Sequence, residues 1–397
     1  MENKKKIMIM GAGIYQVPLI KKAKDMGLTT LVVSIPGKYP GIELADQFIP
    51  LDTRDKEGIL ACAIENNICG ICTTGTDVAV QSIGYVNEQM HLSGISYEAA
   101  KKVTDKLKMK EAFAEHDVST ARFAKVTTYK EAKEAAENIG YPVIVKIVDS
   151  SGSRGVIRVN AQDELESAYK KASDITRKEY LLVEEYIEAR EIGVDAFVGE
   201  NGLEVFLPHE KFTYTVGGVT VPMGHAFPFE ENEVLLSELK KQIALAVQAL
   251  GIKNCPINAD VFIKGDKVWI IEVGGRTGAT CIPELISMYK GYNWYEKILR
   301  VAMGECVDFH SEEANPCMAK LLFVEEDGII TDIEESVIDT LRLEGMEVQL
   351  DYCVGDHVES MKNATDRVGH VIMAGRDEAA LDRHMQSLQR AIRCHTG

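Results

Sequence analysis

The sequence is short of positive charge, with 44 lysines and arginines against 61 acidic residues and a formal charge of −17. That balance repels nucleic acid and anionic membrane surfaces over most of the molecule, so any anion site must be locally basic. Runs of the ~18 apolar residues that span a membrane are also missing. The one stretch that resembles a signal peptide, Lys4, Lys5 and Lys6 before the mostly apolar residues 7–20, carries Gly11, Gly13, Gln16 and Pro18 and leads into Lys21 and Lys22. Without a small-residue cleavage pattern it reads as a buried first strand followed by a turn and a helix. The nine cysteines are odd in number and scattered, so a reduced, cytoplasmic setting is expected. Cys69 and Cys72 form a single C-x-x-C with no second pair at zinc-site spacing, and they lie in an apolar run that reads as a buried strand. There is no low-complexity linker and no fixed 20–50-residue repeat.

What is present is a chain of 397 residues, 46% hydrophobic and 26% charged, enough for two or three globular domains. Three are expected, at residues 1–100, 101–305 and 306–397. In the first, apolar segments at 6–10, 30–34, 48–51 and 68–73 alternate with helical ones, the pattern of a parallel sheet covered by helices. The turn Gly11-Ala12-Gly13 opens like a dinucleotide-binding loop, but Gln16 stands in place of the third glycine and the second strand ends at Ser34 instead of an acidic residue. A structural or small-ligand turn is therefore expected, not NAD. The second region begins with a lysine-rich helix over 97–115, followed by strands at 141–148 and 181–187 and a Gly-, Val- and Thr-rich run at 194–229. An amphipathic helix from Val234 ends at Gly251, which makes this an α+β domain. Strands at 317–323 and 368–373 and a terminal helix over 378–392 make a smaller unit.

Three stretches carry chemistry. Lys146 ends the apolar segment from Tyr141, just ahead of the small-residue loop Asp149-Ser-Ser-Gly152-Ser-Arg154-Gly155. The amides of such a loop can approach phosphate oxygens and the lysine adds a point charge, although no G-K-S/T follows to make a Walker loop. A hairpin turn with an exposed lysine is the alternative. The segment Leu181-Leu-Val-Glu184-Glu185-Tyr-Ile187, with Glu191 beyond it, can present backbone groups to a base and a carboxylate to ribose hydroxyls, or can be a solvated strand end. Finally, Asp260 and Glu272 flank the turn Lys264-Gly265-Asp266-Lys267 and can share one face of a hairpin. Neighbouring carboxylates in apolar strands call for a cation between them, and oxygen ligands beside a triphosphate select Mg²⁺. Arg276 is placed to meet charge developing on a transferring phosphoryl group.

In this order and spacing the three stretches resemble the ATP-grasp superfamily, and Thr104-Asp105-Lys106 looks like that family's entry into its central domain. The tail, with Arg367-Val-Gly-His370, looks like the carboxy-terminal domain of the L-amino-acid ligase branch. The resemblance implies an ATP-grasp fold of mixed α/β and α+β class, with an N-terminal Rossmann-like domain and a small C-terminal α+β domain. It also implies that Lys106 and Lys146 contact ATP phosphates, that Gly152, Ser153 and Gly155 form a phosphate lid, and that Glu184 and Ile187 hold adenine with Glu191 on the ribose. Asp260 and Glu272 would bind Mg²⁺, or Mn²⁺ in its place, and Arg276 with Lys146 would act on the acyl-phosphate. Two departures stand out: the family usually has Glu where Asp260 stands and Asn where Gly274 stands, which leaves the metal count open.

Substrate contacts are expected from Thr76 and Asp77, after the fourth strand, and from His209, Glu210 and His225, in a wall and lid formed with Gly217 and Gly218. For His225 a core position is the alternative reading. Gly275, Thr277 and Gly278 would line an acyl pocket. The function expected is ATP-dependent joining of a carboxylate to an amine through an acyl-phosphate, releasing ADP and phosphate, with amino acids as substrates and a dipeptide-like product. The rivals are a purine-biosynthetic enzyme acting on a phosphoribosyl substrate and a nucleotide sensor without catalysis. A ribose phosphate needs several converging basic side chains, and no such set is apparent in the sequence. Analogy with relatives suggests a homodimer.

Overall fold

The computed structural model describes residues 4–148, 155–216, 219–362 and 366–395. Strands β1 (Lys6–Met10), β2 (Thr29–Ser34), β3 (Gln47–Pro50) and β4 (Gly70–Cys72) form a parallel sheet in the order β3-β2-β1-β4. Helices α1 (Val17–Asp25), α2 (Pro40–Leu44), α3 (Lys56–Asn66) and α4 (Val80–Met90) make the connections. Ile7, Met8, Ile9 and Met10 are all fully buried, because a parallel strand with helices on both faces has no solvent side. The glycine turn after β1 is filled by its own chain: Gln16 Oε1 accepts from Gly13 N at 2.9 Å, and its amide donates to the Thr74 carbonyl. Cys72 is buried, which drives its thiol pKa up to about 12, and all nine cysteines are free.

The helix expected over 97–115 is two helices, α5 (Tyr97–Val103) and α6 (Lys106–Glu115). The Asp105 carboxylate accepts from the amides of Leu107 and Lys108 at 3.0 and 3.3 Å, so it starts a new helix where the sequence pattern runs on. As a result Lys106 is the first residue of α6 and faces the centre of the molecule.

Strands β5 (Phe123–Val126), β6 (Val143–Lys146), β7 (Val156–Val159) and β8 (Leu181–Glu185) form a small antiparallel sheet in the order β5-β8-β6-β7. Helices α7 (Tyr129–Ile139) and α8 (Gln162–Ile175) bury Ala132, Ala136, Leu165 and Ala172 against it. The long run that follows is β9 (Arg190–Gly199), β10 (Gly202–Val216) and β11 (Val219–Phe227), then α9 (Glu233–Leu250), β12 (Cys255–Lys264) and β13 (Lys267–Gly274). As expected, Gly251 closes α9 in the left-handed conformation, at φ 69°.

Helices α10 (Ile282–Lys290) and α11 (Trp294–Ala302) lead to the remaining strands, β14 (Cys317–Leu322), β15 (Gly328–Ile333), β16 (Glu347–Leu350), β17 (His357–Val358), β18 (Gly369–Ala374) and β19 (Ile392–His395), with helices α12 (Glu335–Leu343) and α13 (Glu378–Ala391). The eight-stranded sheet is ordered β13-β12-β9-β10-β11-β14-β18-β16, so it runs unbroken across residue 305. One apolar cluster joins Ile7, Ile9 and Leu19 to Phe197, Trp294, Leu299, Cys317 and Ala319, fixing the parallel sheet against the large one. Among the described residues no helix is long and apolar enough to cross a membrane.

The β11–β14 seam is tight, since a Cβ on Gly224 would meet the Ala319 carbonyl oxygen at 2.0 Å. Overpacking of that kind costs about 1–3 kcal/mol. Gly224→Ala should lower the stability of the large sheet by that amount in urea unfolding followed by circular dichroism, whereas Gly265→Ala, with open space around it, should lose less, through its positive φ alone.

Candidate active site

The β12–β13 hairpin sets the acidic pair. Its register places Asp260 directly opposite Glu272, and the next pair is Val261 with Ile270, so the strand bulges at Ile271. Directly opposed residues share one face, and a bulge re-aims the side chains beside it. Lys211, on β10, reaches across to donate to both Glu191 Oε1 at 2.5 Å and Asp260 Oδ1 at 2.6 Å. Lys106 Nζ lies 3.2 Å from Glu272 Oε2. The Lys106 charge holds the Glu272 carboxyl well below the usual carboxylate range against the opposing effect of burial. Burial works against the Lys106 ammonium, but Glu272 outweighs it and raises the lysine. Glu191 goes the other way: burial, with the nearby Asp260 and Glu272 charges, raises its carboxyl despite Lys211.

A second cluster lies under the small sheet. Lys146, at the end of β6, places Nζ 2.8 Å from Glu184 Oε1, and Lys110 of α6 approaches Oε2 at 3.4 Å, all three side chains being at least 93% buried. Burial raises the Glu184 carboxyl, but the two ammoniums outweigh it and leave it lowered. Burial pulls Lys110 down to about 8. Glu184, expected at adenine, thus has its side chain committed to two lysines, because the β8–β6 register sets it across from Ile144, two residues before Lys146. Ile187 follows on the loop beyond β8, and Gly155, at φ 71°, packs against Ile147. Gly152 and Ser153 lie outside the described residues, as do Gly217 and Gly218.

Arg276 sits where two loops meet. The loop after β4 bridges the loop after β13 at Thr74 and Thr277, and Gly75 N donates to the Thr277 carbonyl at 3.2 Å. This brings Asp77 to the arginine, with Arg276 Nη2 donating to Asp77 Oδ2 at 2.7 Å. It also bears on Gly274: a Cβ there would stand 2.8 Å from Asp77 Oδ1, so any side chain at this position must displace the Asp77 carboxylate. Behind Arg276 the fully buried Asp195 accepts four hydrogen bonds, from Thr277 Oγ1, Gly278 N, Asn258 Nδ2 and His209 Nε2, at 3.1, 2.9, 2.7 and 3.3 Å. Asn258 Oδ1 in turn accepts from Arg276 Nη1 at 2.9 Å, and Trp294 Nε1 donates to Thr277 Oγ1 at 2.8 Å.

Lys106, Glu272, Asn258, Asp77 and Arg276 open onto one cleft of about 390 Å³ between the parallel sheet, α6, the small sheet and the large sheet, whose lining does not include Asp260, Glu191, Lys146 or Glu184. Of the expected residues, Lys106, Asp77, Glu272 and Arg276 line it. Thr76 does not, and Gly275, Thr277 and Gly278 support the Arg276 loop from behind. His209 and His225 are corrections. They are buried inside the sheet with rings edge to face at 4.7 Å, and burial together with the neighbouring His209 and Lys211 pushes the His225 imidazole well down. Glu210 is likewise turned away, bound to Arg190 and near Arg376. A further correction concerns basic side chains: Arg54, Lys56 and Lys178 converge on the cleft beside Lys106 and Arg276. A second depression, around Ser119, Ser237 and Trp269, gathers none of these groups.

Lys110, Lys211 and Asp195 are functional candidates that motif reading missed. The all-oxygen donor pair Asp260 and Glu272 suits a hard cation, and among the described residues no group of three or more His, Cys, Asp or Glu forms a self-sufficient metal site.

Residues 139–284 match the ATP-grasp domain family, and residues 320–397 match L-amino acid ligase C-terminal domain 2. The formate-dependent phosphoribosylglycinamide formyltransferase of Wolinella succinogenes is 25% identical over 307 residues, 76% of this chain and 77% of that protein. The crystal structure of phosphoribosylglycinamide synthetase from Anaerococcus prevotii superposes over 100% of both chains with a TM-score of 0.81 and 28% identity. That of L-amino acid ligase from Bacillus licheniformis also covers 100% of both at a TM-score of 0.81, with 18% identity, and so speaks for the fold alone.

Asp260 and Glu272 are both already paired with lysines, so if a nucleotide drew those lysines to its phosphates the two carboxylates would be freed for a cation. In calorimetric titrations, ADP should tighten Mg²⁺ binding by roughly 5–150-fold, the usual scale of coupling between two ligands. Equal Mg²⁺ affinity with and without ADP would show that the lysines do not compete.

Proposed function

From the premise that the chain is an ADP-forming ATP-grasp ligase using ATP with Mg²⁺, we propose that it converts a carboxylate to an acyl-phosphate and passes the acyl group to an amine. The observation that carries this reading is the set of paired charges, Lys106 with Glu272, Lys211 with Asp260 and Glu191, and Lys146 with Glu184, whose three lysines all act on the Glu272 carboxyl, with Glu272 and the Arg276–Asp77 pair lining one cleft. Lys106 and Lys146 meet the phosphates of ATP, and Asp260 and Glu272 would hold Mg²⁺, which would supply further charge neutralisation. A substrate carboxylate oxygen attacks the γ-phosphorus as ADP leaves. The amine nitrogen then attacks the acyl carbon, phosphate departs with the bond pair, and the amine loses its proton to solvent. Arg276 stabilises the negative oxygens in both steps, and the chain needs no nucleophile of its own.

Two substrate readings follow. The relatives named for phosphoribosylglycinamide, together with Arg54, Lys56 and Lys178 in the cleft, favour a phosphorylated amine as acceptor over the dipeptide chemistry first expected. The match of residues 320–397 to the L-amino acid ligase domain supports amino acids as the second reading.

The test supplies Mg²⁺-ATP with either formate and phosphoribosylglycinamide or pooled amino acids, following ADP, AMP and phosphate while mass spectrometry searches for a product equal to both substrates less water. ADP and phosphate are expected. Lys146→Ala and Glu272→Ala should each lower kcat by about 10²–10³-fold, the range for losing one preorganised transition-state contact. AMP as the product, or full turnover in both variants, would overturn the assignment.

A further inference from the structure

Asp195, Asn258 and Gly274 stand side by side on the neighbouring strands β9, β12 and β13, each directly opposite the next. Directly opposed residues present their side chains on one face of a sheet. Gly274 has none to present, and the guanidinium of Arg276 comes in beside it, with Cζ 3.3 Å from where a Cβ on Gly274 would stand. Carboxylate, amide and guanidinium therefore follow one another along a single row.

The hydrogen bonds along that row have a fixed polarity. Asp195 is fully buried and accepts from Thr277 Oγ1 and Gly278 N at Oδ1, and from Asn258 Nδ2 and His209 Nε2 at Oδ2, which fills the lone-pair sites of a carboxylate. Because that group only accepts, Asn258 must turn its NH₂ towards it, at 2.7 Å, and its carbonyl oxygen away. A guanidinium only donates, and Arg276 Nη1 donates to that oxygen at 2.9 Å. The two ends of the row thus demand the same amide orientation. Reversed, Asn258 would set N–H against N–H at Arg276 and oxygen against oxygen at Asp195, leaving buried groups unsatisfied at both ends.

Arg276 has few other holds. Nη2 donates to Asp77 at 2.7 Å, Nη1 also lies 3.4 Å from the Thr277 carbonyl, and Nε is buried with no hydrogen-bond partner among the described residues. Asp77 fixes one corner of the guanidinium plane and Asn258 a second, and two fixed corners set the direction in which it faces the cleft. The loop that carries Arg276 packs directly on the row, since a Cβ on Gly278 would meet Asn258 Nδ2 at 3.0 Å and Asp195 Oδ2 at 3.1 Å. We propose that Asn258 is a positioning residue for Arg276, its carbonyl oxygen aimed at the guanidinium because Asp195 holds the other end of its amide. The inference rests on the reading of Arg276 as the group that meets the reacting oxygens and adds what aims it.

The test compares the full chain with its D195N, N258L and D195N/N258D variants. In D195N the new amide keeps its oxygen towards Thr277 and Gly278, so its NH₂ faces Asn258 and turns that amide over against Arg276. N258L removes the link outright. In D195N/N258D the polarity returns, because the amide at 195 donates to the carboxylate at 258, whose other oxygen accepts from Arg276. In assays of ADP formation with the substrate pair that the wild type turns over, D195N and N258L should each lower kcat by roughly 10²-fold, the scale for a displaced reacting group, with KM for ATP unchanged. D195N/N258D should recover most of that loss. A purely structural role would lower the thermal midpoint and leave kcat intact. A second readout does not depend on turnover: in nitrogen NMR spectra of protein labelled at arginine, the Arg276 Nε signal, identified by its loss in R276K, should shift in D195N and N258L and return towards its wild-type position in D195N/N258D. Full kcat in D195N and N258L, or a double variant no better than D195N, overturns the proposal, as does an Arg276 signal that neither single variant moves. If the wild type forms no ADP with any substrate pair while the signal shifts and returns as stated, the ligase reading fails and the hold of Asn258 on Arg276 stands.

Discussion

Burying like charges together is what this site must avoid, and pairing each cation with a carboxylate from a different element is how it does so. An unpaired charge in such surroundings costs several kcal/mol, and breaking one buried pair typically costs about 3–5 kcal/mol. Lys106 of α6 meets Glu272 of β13, Lys211 of β10 meets Glu191 of β9 and Asp260 of β12, and Lys146 of β6 shares Glu184 of β8 with Lys110 of α6. No pair joins neighbours in sequence, so the charges are balanced only when the two sheets and α6 are in place. Under the proposed reading, a nucleotide would exchange its phosphates for carboxylates at these lysines and leave the carboxylates for a cation.

The fold supplies the precision this requires. The large sheet gives Glu191, Lys211, Asp260 and Glu272 consecutive strands in the order β13-β12-β9-β10, so their spacing follows from backbone hydrogen bonding alone. The small sheet brings Lys146 and Glu184 as a separate body, and α6, with its start set by Asp105, carries Lys106 and Lys110 four residues apart to serve one acidic partner each. Arg54, Lys56 and Asp77, on the other side of the cleft, come instead from loops at the carboxyl edge of the parallel sheet, where change in sequence leaves the strands intact.

What the sequence shows of this, and what it hides, follows the range of each interaction. The β12–β13 hairpin is legible because a Gly-Asp turn and flanking alternation are local, but counting from the turn puts Asp260 opposite Ile271, and only the bulge there, which no local pattern announces, brings Glu272 opposite Asp260. Lys146 is legible for the same reason, as the last residue of an apolar strand before a small-residue loop. Lys211 and Asp195 are not, because their meaning lies in partners 49 and 83 residues away. His209, Glu210 and His225 read as substrate groups for want of the register that buries the two rings and hands Glu210 to Arg190. The break between α5 and α6 was open to inspection in Asp105, whose capping of Lys108 three residues on is a local signal overridden by the continuous helical pattern.

Gly274 shows how a departure from a family pattern can carry its own explanation. Read along the chain, it is an asparagine lost from a metal site. In space it is half of a pair, because the carboxylate of Asp77 occupies the volume that a side chain at 274 would need, and the same carboxylate holds Arg276. Asp77 comes from the parallel-sheet unit and Arg276 from the large sheet, with Thr74 and Thr277 bridging their loops. The orientation of Arg276 is therefore set by a residue of another unit, whose carboxylate stands where a side chain at 274 would begin. A substitution at 274 would press first on Asp77 and only then on the charge at Arg276, so the two positions are expected to vary together.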